Sequence, residues 1–229
     1  MRSLQNRKRG ILAGGMVQRL WYHFVLFTTR NLFFRLRVGK FTSITPENLP
    51  RQGGVLIAPL HVSHLDPPAV ACGVTRPMWF MAKEELFKHW LIGPALRSVS
   101  AFPVKRGEGD TESIRHAMGL LEKGEAVLIF PEGTRGDGKV MGPINKGVAL
   151  IAKRTGVPVV PVGVVGTHIA LPRGAKKLKR HSITLIYGKP FTYAEVTEGL
   201  SDREARERFA EVLKDRIRES CATYGLMLE

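Results

Sequence analysis

Short apolar runs rich in Val, Ile and Leu recur between residues 55 and 187, and helix start and stop residues fall between them. Residues 55–58 form the first run, with Gly-Gly before it and Pro after. Asp66-Pro67-Pro68 then reads as a helix start, with Asp as N-cap and Pro at the first position. Residues 77–81 are strand-like. Residues 84–98 look helical, with Pro94 as a kink or stop. Residues 102–104 form a brief extended piece. Asp110 or Thr111 caps a helix through Leu121, and Gly124 stops it. Residues 126–130 are continuously apolar, as in a strand buried on both faces. A helix over 146–154 closes at Gly156, and strands follow over 157–165 and 183–187. Ser201 and Glu204 make a capping box for a last helix to about Ser220. This alternation predicts an α/β fold with a largely parallel central sheet flanked by helices. A core domain is assigned to residues 45–229, and residues 1–44 to an appendage.

The appendage is set apart by charge. The chain carries 35 Lys and Arg against 20 Asp and Glu, a net charge of +15. Such a chain is attracted to nucleic acid, an anionic membrane or an acidic carrier. Residues 1–40 hold nine of the cations and no acid, and the first acid is Glu47. The same stretch is rich in Leu, Phe, Trp and Tyr. At helical period Arg19, His23, Arg30 and Arg37 fall within roughly 40° of one another, with Val17, Trp21, Phe24 and Leu32 opposite. That pattern predicts a basic amphipathic helix in the membrane plane, with a bend near Asn31 because Arg35 breaks the face. A core-packing helix with a basic solvent face has the same periodicity. Only ten residues separate Arg19 from Arg30; a spanning helix needs about 20 apolar residues. No small-residue cleavage site follows the apolar run, so a cleaved signal peptide fits poorly. The expected location is therefore peripheral or monotopic, on the cytoplasmic face of the cell membrane. A nucleic-acid binder is the remote alternative, since zinc spacing, an RNA-binding aromatic box and a basic zipper are all absent.

Two loops carry candidate chemistry. His61-Val62-Ser63-His64-Leu65-Asp66 follows the first strand and precedes a helix start. His suits general-base work near neutral pH, and an Asp on its second ring nitrogen would fix the tautomer. From spacing alone, Asp66 is equally well a plain N-cap. Ser63 lacks the G-x-S-x-G elbow of a serine nucleophile. The second loop is Phe130-Pro131-Glu132-Gly133-Thr134-Arg135-Gly136. Its glycines allow close backbone approach, and Arg135 offers a planar fork for phosphate. Glu132 could orient Arg135 or bond a ligand hydroxyl. Lys105-Arg106-Gly107 after a short strand offers a further anion site, and Arg173 to Arg180 holds five cations in eight residues. Cys72 and Cys221 lie in no metal spacing and read as free thiols.

The blocks His61…Asp66, Phe102 to Arg106, Phe130 to Arg135 and Val157 to Val162, in this order, resemble the glycerophosphate acyltransferase superfamily, and most of all its 1-acyl-glycerol-3-phosphate (lysophosphatidic acid) acyltransferases. The resemblance covers about 55–190. It implies an acyl group passed from acyl-CoA or acyl carrier protein to the free hydroxyl of 1-acyl-glycerol-3-phosphate, giving phosphatidic acid. It implies His61 as base supported by Asp66, and Arg106 holding the acceptor phosphate with Glu132, Gly133, Thr134 and Arg135. Lys105 or backbone amides would stabilise the oxyanion. It implies no metal and no cofactor beyond the donor substrate. Another lysolipid acceptor would use the same motifs. Leu60 stands where the family usually has Asn, and Ile144-Asn145 where members often carry an aromatic and basic pair.

Overall fold

A computed structural model describes residues 16–104 and 111–228, with residues 17 and 18 described by backbone alone. Seven strands form one sheet: β1 (Phe41–Ile44), β2 (Val55–Pro59), β3 (Trp79–Lys83), β4 (Ala101–Val104), β5 (Ala126–Leu128), β6 (Val159–Val165) and β7 (Ile183–Tyr187). Their spatial order is β1-β7-β6-β2-β5-β3-β4. Only β6 and β7 pair antiparallel; the other neighbours are parallel. The expected largely parallel sheet is thus present, closed on one edge by a β1–β7 pair running the opposite way.

The centre of the sheet is made by the continuous apolar runs. All five residues of β2 and all three of β5 are buried. Helices cover both faces, as parallel strands require. They are α1 (Met16–Thr28), α2 (Asp66–Cys72), α3 (Glu84–Lys88), α4 (Ile92–Ser98), α5 (Thr111–Glu122), α6 (Lys146–Thr155), α7 (Thr167–Ala170), α8 (Tyr193–Thr197) and α9 (Asp202–Ala222). On α9 Phe209, Leu213 and Ile217 are fully buried, with Val212 beside them. Truncating a side chain of this kind to Ala costs about 2–5 kcal/mol. The Gly-Gly before β2 has a packing cause: a Cβ on Gly54 would meet the Leu121 carbonyl oxygen at 2.2 Å.

Several local expectations are corrected. The helix over 84–98 is two helices, and the break precedes Pro94. His89 turns extended, and its Nδ1 accepts the N–H groups of Leu91 at 3.3 Å and Ile92 at 3.4 Å. Pro94 then sits in the first turn of α4, where an N–H has no helical partner to lose. Residues 41–44, assigned to the appendage, are the edge strand β1. The bend near Asn31 is a change of helix type: α1 runs into wider π-type turns over Thr29–Val38. This segment packs on the core through Tyr22, Phe34 and Val38. The Tyr22 hydroxyl accepts the Met78 N–H at 3.2 Å, tying α1 to the lead into β3. Leu20, Trp21, Phe24, Phe27 and Leu32 remain exposed. No helix among the described residues is long and apolar enough to cross a membrane.

Candidate active site

Strands β2 and β5 are neighbours, with Ile57 paired to Leu128. Being parallel, they deliver the His61 loop and the Phe130 loop side by side at one edge of the sheet. That is where open α/β sheets hold ligands.

Asp66 does not cap α2. It is the first residue of that helix, and its carboxylate turns back into the loop. Its Oδ2 accepts the Val62 and Ser63 N–H groups, each at 2.7 Å, and meets His61 Nδ1 at 3.0 Å. Asp66 is fully buried. One carboxylate oxygen therefore folds the loop around itself and orients the imidazole. With Nδ1 occupied, Nε2 is the ring nitrogen left for a substrate proton. Ser63 is buried and committed: its hydroxyl donates to the Leu171 carbonyl at 2.8 Å. A buried serine held this way is poorly placed to attack.

The second loop grips the first. The His61 ring stacks on Phe130, centroids 3.8 Å apart and 21° from parallel. Gly136 N–H donates to the His61 carbonyl at 2.8 Å. His61 N–H donates to Glu132 Oε1 at 3.4 Å, and Gly142 N–H donates to Glu132 Oε2 at 2.9 Å. Both Glu132 oxygens are thus engaged by backbone, and the carboxylate does not pair with Arg135. Burial pushes the Glu132 carboxyl above its ordinary range, against the lowering effect of these two backbone donors. Gly133 adopts φ +66°, the left-handed conformation that glycine accepts without strain. The Phe130 stacking and the Glu132 clamp were not legible from residue spacing, because both depend on β2 lying beside β5.

A cavity of ≈ 1410 Å³ opens over this pair of loops. His61, His64, Glu132, Gly133, Thr134 and Arg135 line its polar end, and Phe80, Leu96, Ile129 and Ile151 are among its apolar walls. Burial, then the nearby Arg135 and His61, hold the His64 imidazole below its usual pKa. Arg173, from the basic loop, donates to the Arg135 carbonyl at 3.1 Å. Lys105 and Arg106, with the rest of 105–110, lie outside the described residues. Among the described residues no group of His, Cys, Asp and Glu could hold a metal ion. Both cysteines are buried and unpaired, and burial pushes each thiol up to about 12. Leu60, in place of the family's Asn, is buried and makes its backbone bond to Val162 at 3.0 Å.

A parallel-sheet fold that sets an aspartate-bound histidine in the wall of a largely apolar cavity, with the adjacent serine engaged elsewhere, suits one class of chemistry, base-assisted group transfer. Comparison with known proteins narrows the class. The acyltransferase family model matches residues 40–165, and the chain belongs to that family, within the glycerophosphate acyltransferase superfamily. The 1-acyl-sn-glycerol-3-phosphate acyltransferase of Bacillus subtilis is 35% identical over 175 residues, 76% of this chain and 84% of the relative. The chloroplastic BAT2 enzyme of the same name from Brassica napus is 36% identical over 58% of this chain and 39% of its own length. The crystal structure of the 1-acyl-sn-glycerophosphate (LPA) acyltransferase PlsC from Thermotoga maritima superposes with TM-score 0.66 at 24% identity, over 96% of this chain and 97% of that one, which shows a common fold.

Proposed function

We propose that this chain transfers a fatty acyl group from an acyl thioester, acyl-CoA or acyl carrier protein, to the free hydroxyl of 1-acyl-glycerol-3-phosphate, giving phosphatidic acid. The observation that carries the reading is the His61–Asp66 contact at the polar end of the apolar cavity. The names of the relatives support the acceptor. His61 Nε2 takes the hydroxyl proton as the oxygen attacks the thioester carbonyl. The C–S bond breaks, and the leaving thiolate takes the proton back from His61. A thioester is activated enough to need no enzyme nucleophile, metal or cofactor. Asp66 supports the imidazolium. Arg106 and Arg135 hold the acceptor phosphate with the Gly133–Thr134 backbone, and Lys105 or backbone amides stabilise the oxyanion. Glu132 acts through His61 rather than on substrate. The apolar walls accommodate acyl chain. The exposed aromatic face of α1, in a stretch of nine cations and no acid over 1–40, rests on the anionic cytoplasmic leaflet.

The test is product analysis of the purified protein with a panel of lysolipid acceptors and both donors. Phosphatidic acid formed from lysophosphatidic acid is the expected result. Acylation of a different lysolipid alone would move the acceptor, and no acyl transfer with any pair would overturn the proposal.

A further inference from the structure

The cavity has two apolar rims. One is α1, which contributes Trp21, Val25 and Leu26 to its lining. The other is the α3–α4 corner, which contributes Leu86, Leu91 and Ile92. Trp90 stands at this corner, 77% exposed. Leu91 and Ile92 beside it are exposed as well, although they follow the corner into the cavity wall. Nothing in the architecture requires a tryptophan there, and an exposed cluster of this kind marks a surface that is covered in use. At the corner His89 Nδ1 accepts the Leu91 and Ile92 N–H groups that lead out of it.

We infer that the Trp90 corner is a second membrane foot, entering the same leaflet as α1 beside the cavity that both elements line. The inference rests on the interfacial reading of α1 given above and extends it to an element outside the basic N-terminal stretch. Three features choose a lipid surface as the occupant. The cavity between the two rims is apolar-walled, so its lining continues the bilayer interior rather than ending at water. Tryptophan is the side chain enriched at the level of lipid headgroups, where one ring edge is wet and the rest is dry. A cation stands at each rim, Arg19 on α1 and Lys88 in the last turn of α3, whose acids, Glu84 and Glu85, lie in its first turn. A lipid acceptor can then pass from leaflet to His61 between two anchored walls, with its chain never crossing water.

Trp90 is one of three tryptophans, with Trp21 and Trp79. In a Trp21→Phe, Trp79→Phe protein its fluorescence reports on the corner alone. Vesicles of phosphatidylglycerol and acyl-brominated phosphatidylcholine should blue-shift and quench it. In the otherwise unaltered chain, Trp90→Glu should lower the vesicle-bound fraction about tenfold, as expected for losing one interfacial aromatic and gaining a repelled charge. Turnover of vesicle-embedded acceptor should fall with it, while turnover of a short-chain soluble acceptor stays within about twofold of wild type. If Trp90→Glu floats with vesicles as the wild type does, the foot is wrong, whether or not the double variant folds. The inference is equally overturned if Trp90 is shielded without vesicles in a sedimenting dimer, because the corner is then an interface between copies. Absence of soluble turnover in the wild type would count against the proposed reaction, and flotation would still decide the foot.

Discussion

The Glu132 carboxylate lies between the backbone N–H of His61, at 3.4 Å, and that of Gly142, at 2.9 Å. It thus binds the histidine loop to the loop that follows β5, and it makes no ion pair with Arg135. A residue used this way affects turnover by placing the base.

Glu132→Gln keeps one acceptor oxygen and turns an amide N–H₂ toward the other backbone donor. A buried donor left unpaired costs about 1–3 kcal/mol. The expected result is a fall in kcat of about ten- to a hundredfold, with acceptor KM little changed. A raised acceptor KM at unaltered kcat would return Glu132 to the substrate. Stability supplies a second readout. Burial raises the Glu132 carboxyl above its unfolded value, so its contribution to stability is fully present below the unfolded value of about 4.3 and is lost as pH rises through the folded one. The Tm of the Gln variant, relative to wild type, should therefore improve as pH rises through that window.

His61→Ala should lower turnover by about 10²–10⁴ with the fold intact, measured by acyl transfer and thermal melting on one preparation. Asp66→Asn should be as severe for turnover and should also lower Tm, because Oδ2 serves three donors at once. Near-wild-type turnover in purified His61→Ala would sink the mechanism.

Arg135→Lys tests fork against charge, since an ammonium makes no bidentate contact with phosphate. Acceptor KM should rise about tenfold, with donor KM little changed; unchanged kinetics would indicate a plain charge role. Arg106→Ala should also act on acceptor KM, and an effect confined to donor KM would reassign it to the carrier.

Removing residues 1–40 would strip Tyr22, Phe34 and Val38 from the core, so that deletion should unfold the protein. The cleaner probe is Phe24→Ser with Phe27→Ser, at 58% and 67% exposure. Flotation on phosphatidylglycerol vesicles should drop while Tm is preserved. Salt should weaken wild-type binding only in part, because apolar burial is insensitive to screening.

Much of the fold could be read locally. The β2 and β5 runs, the Gly156 stop, the Ser201–Glu204 pair and the α9 stripe each carry their signal within a few residues. β1 could not be read, because its four residues earn their place by pairing with β7 some 140 positions away. The short helix α8 carries a local signature of the same kind, the Thr192–Glu195 capping box. At the site, His61, Asp66 and the Phe130–Arg135 block were visible from spacing and resemblance. The double duty of Asp66 and the brace by Glu132 were not, because each is a backbone contact across a turn or between strands. Tyr22 shows why amphipathic period left two readings of α1 open: one face meets the core, and the aromatic rest stays outside.

The sheet order has a consequence for synthesis. β2 is made early, yet its two neighbours are β5 and β6. Closing such separated pairs is slow, since chain entropy is lost before the contacts form. A nascent chain ending before residue 126 carries the histidine loop without its stacking partner, its carboxylate brace or either strand that flanks β2. Until β6 has emerged, the Val/Ile-rich edge of β2 is open to pairing with another chain. The central strand should therefore be the point at which ribosome stalling or truncation turns this protein toward aggregation.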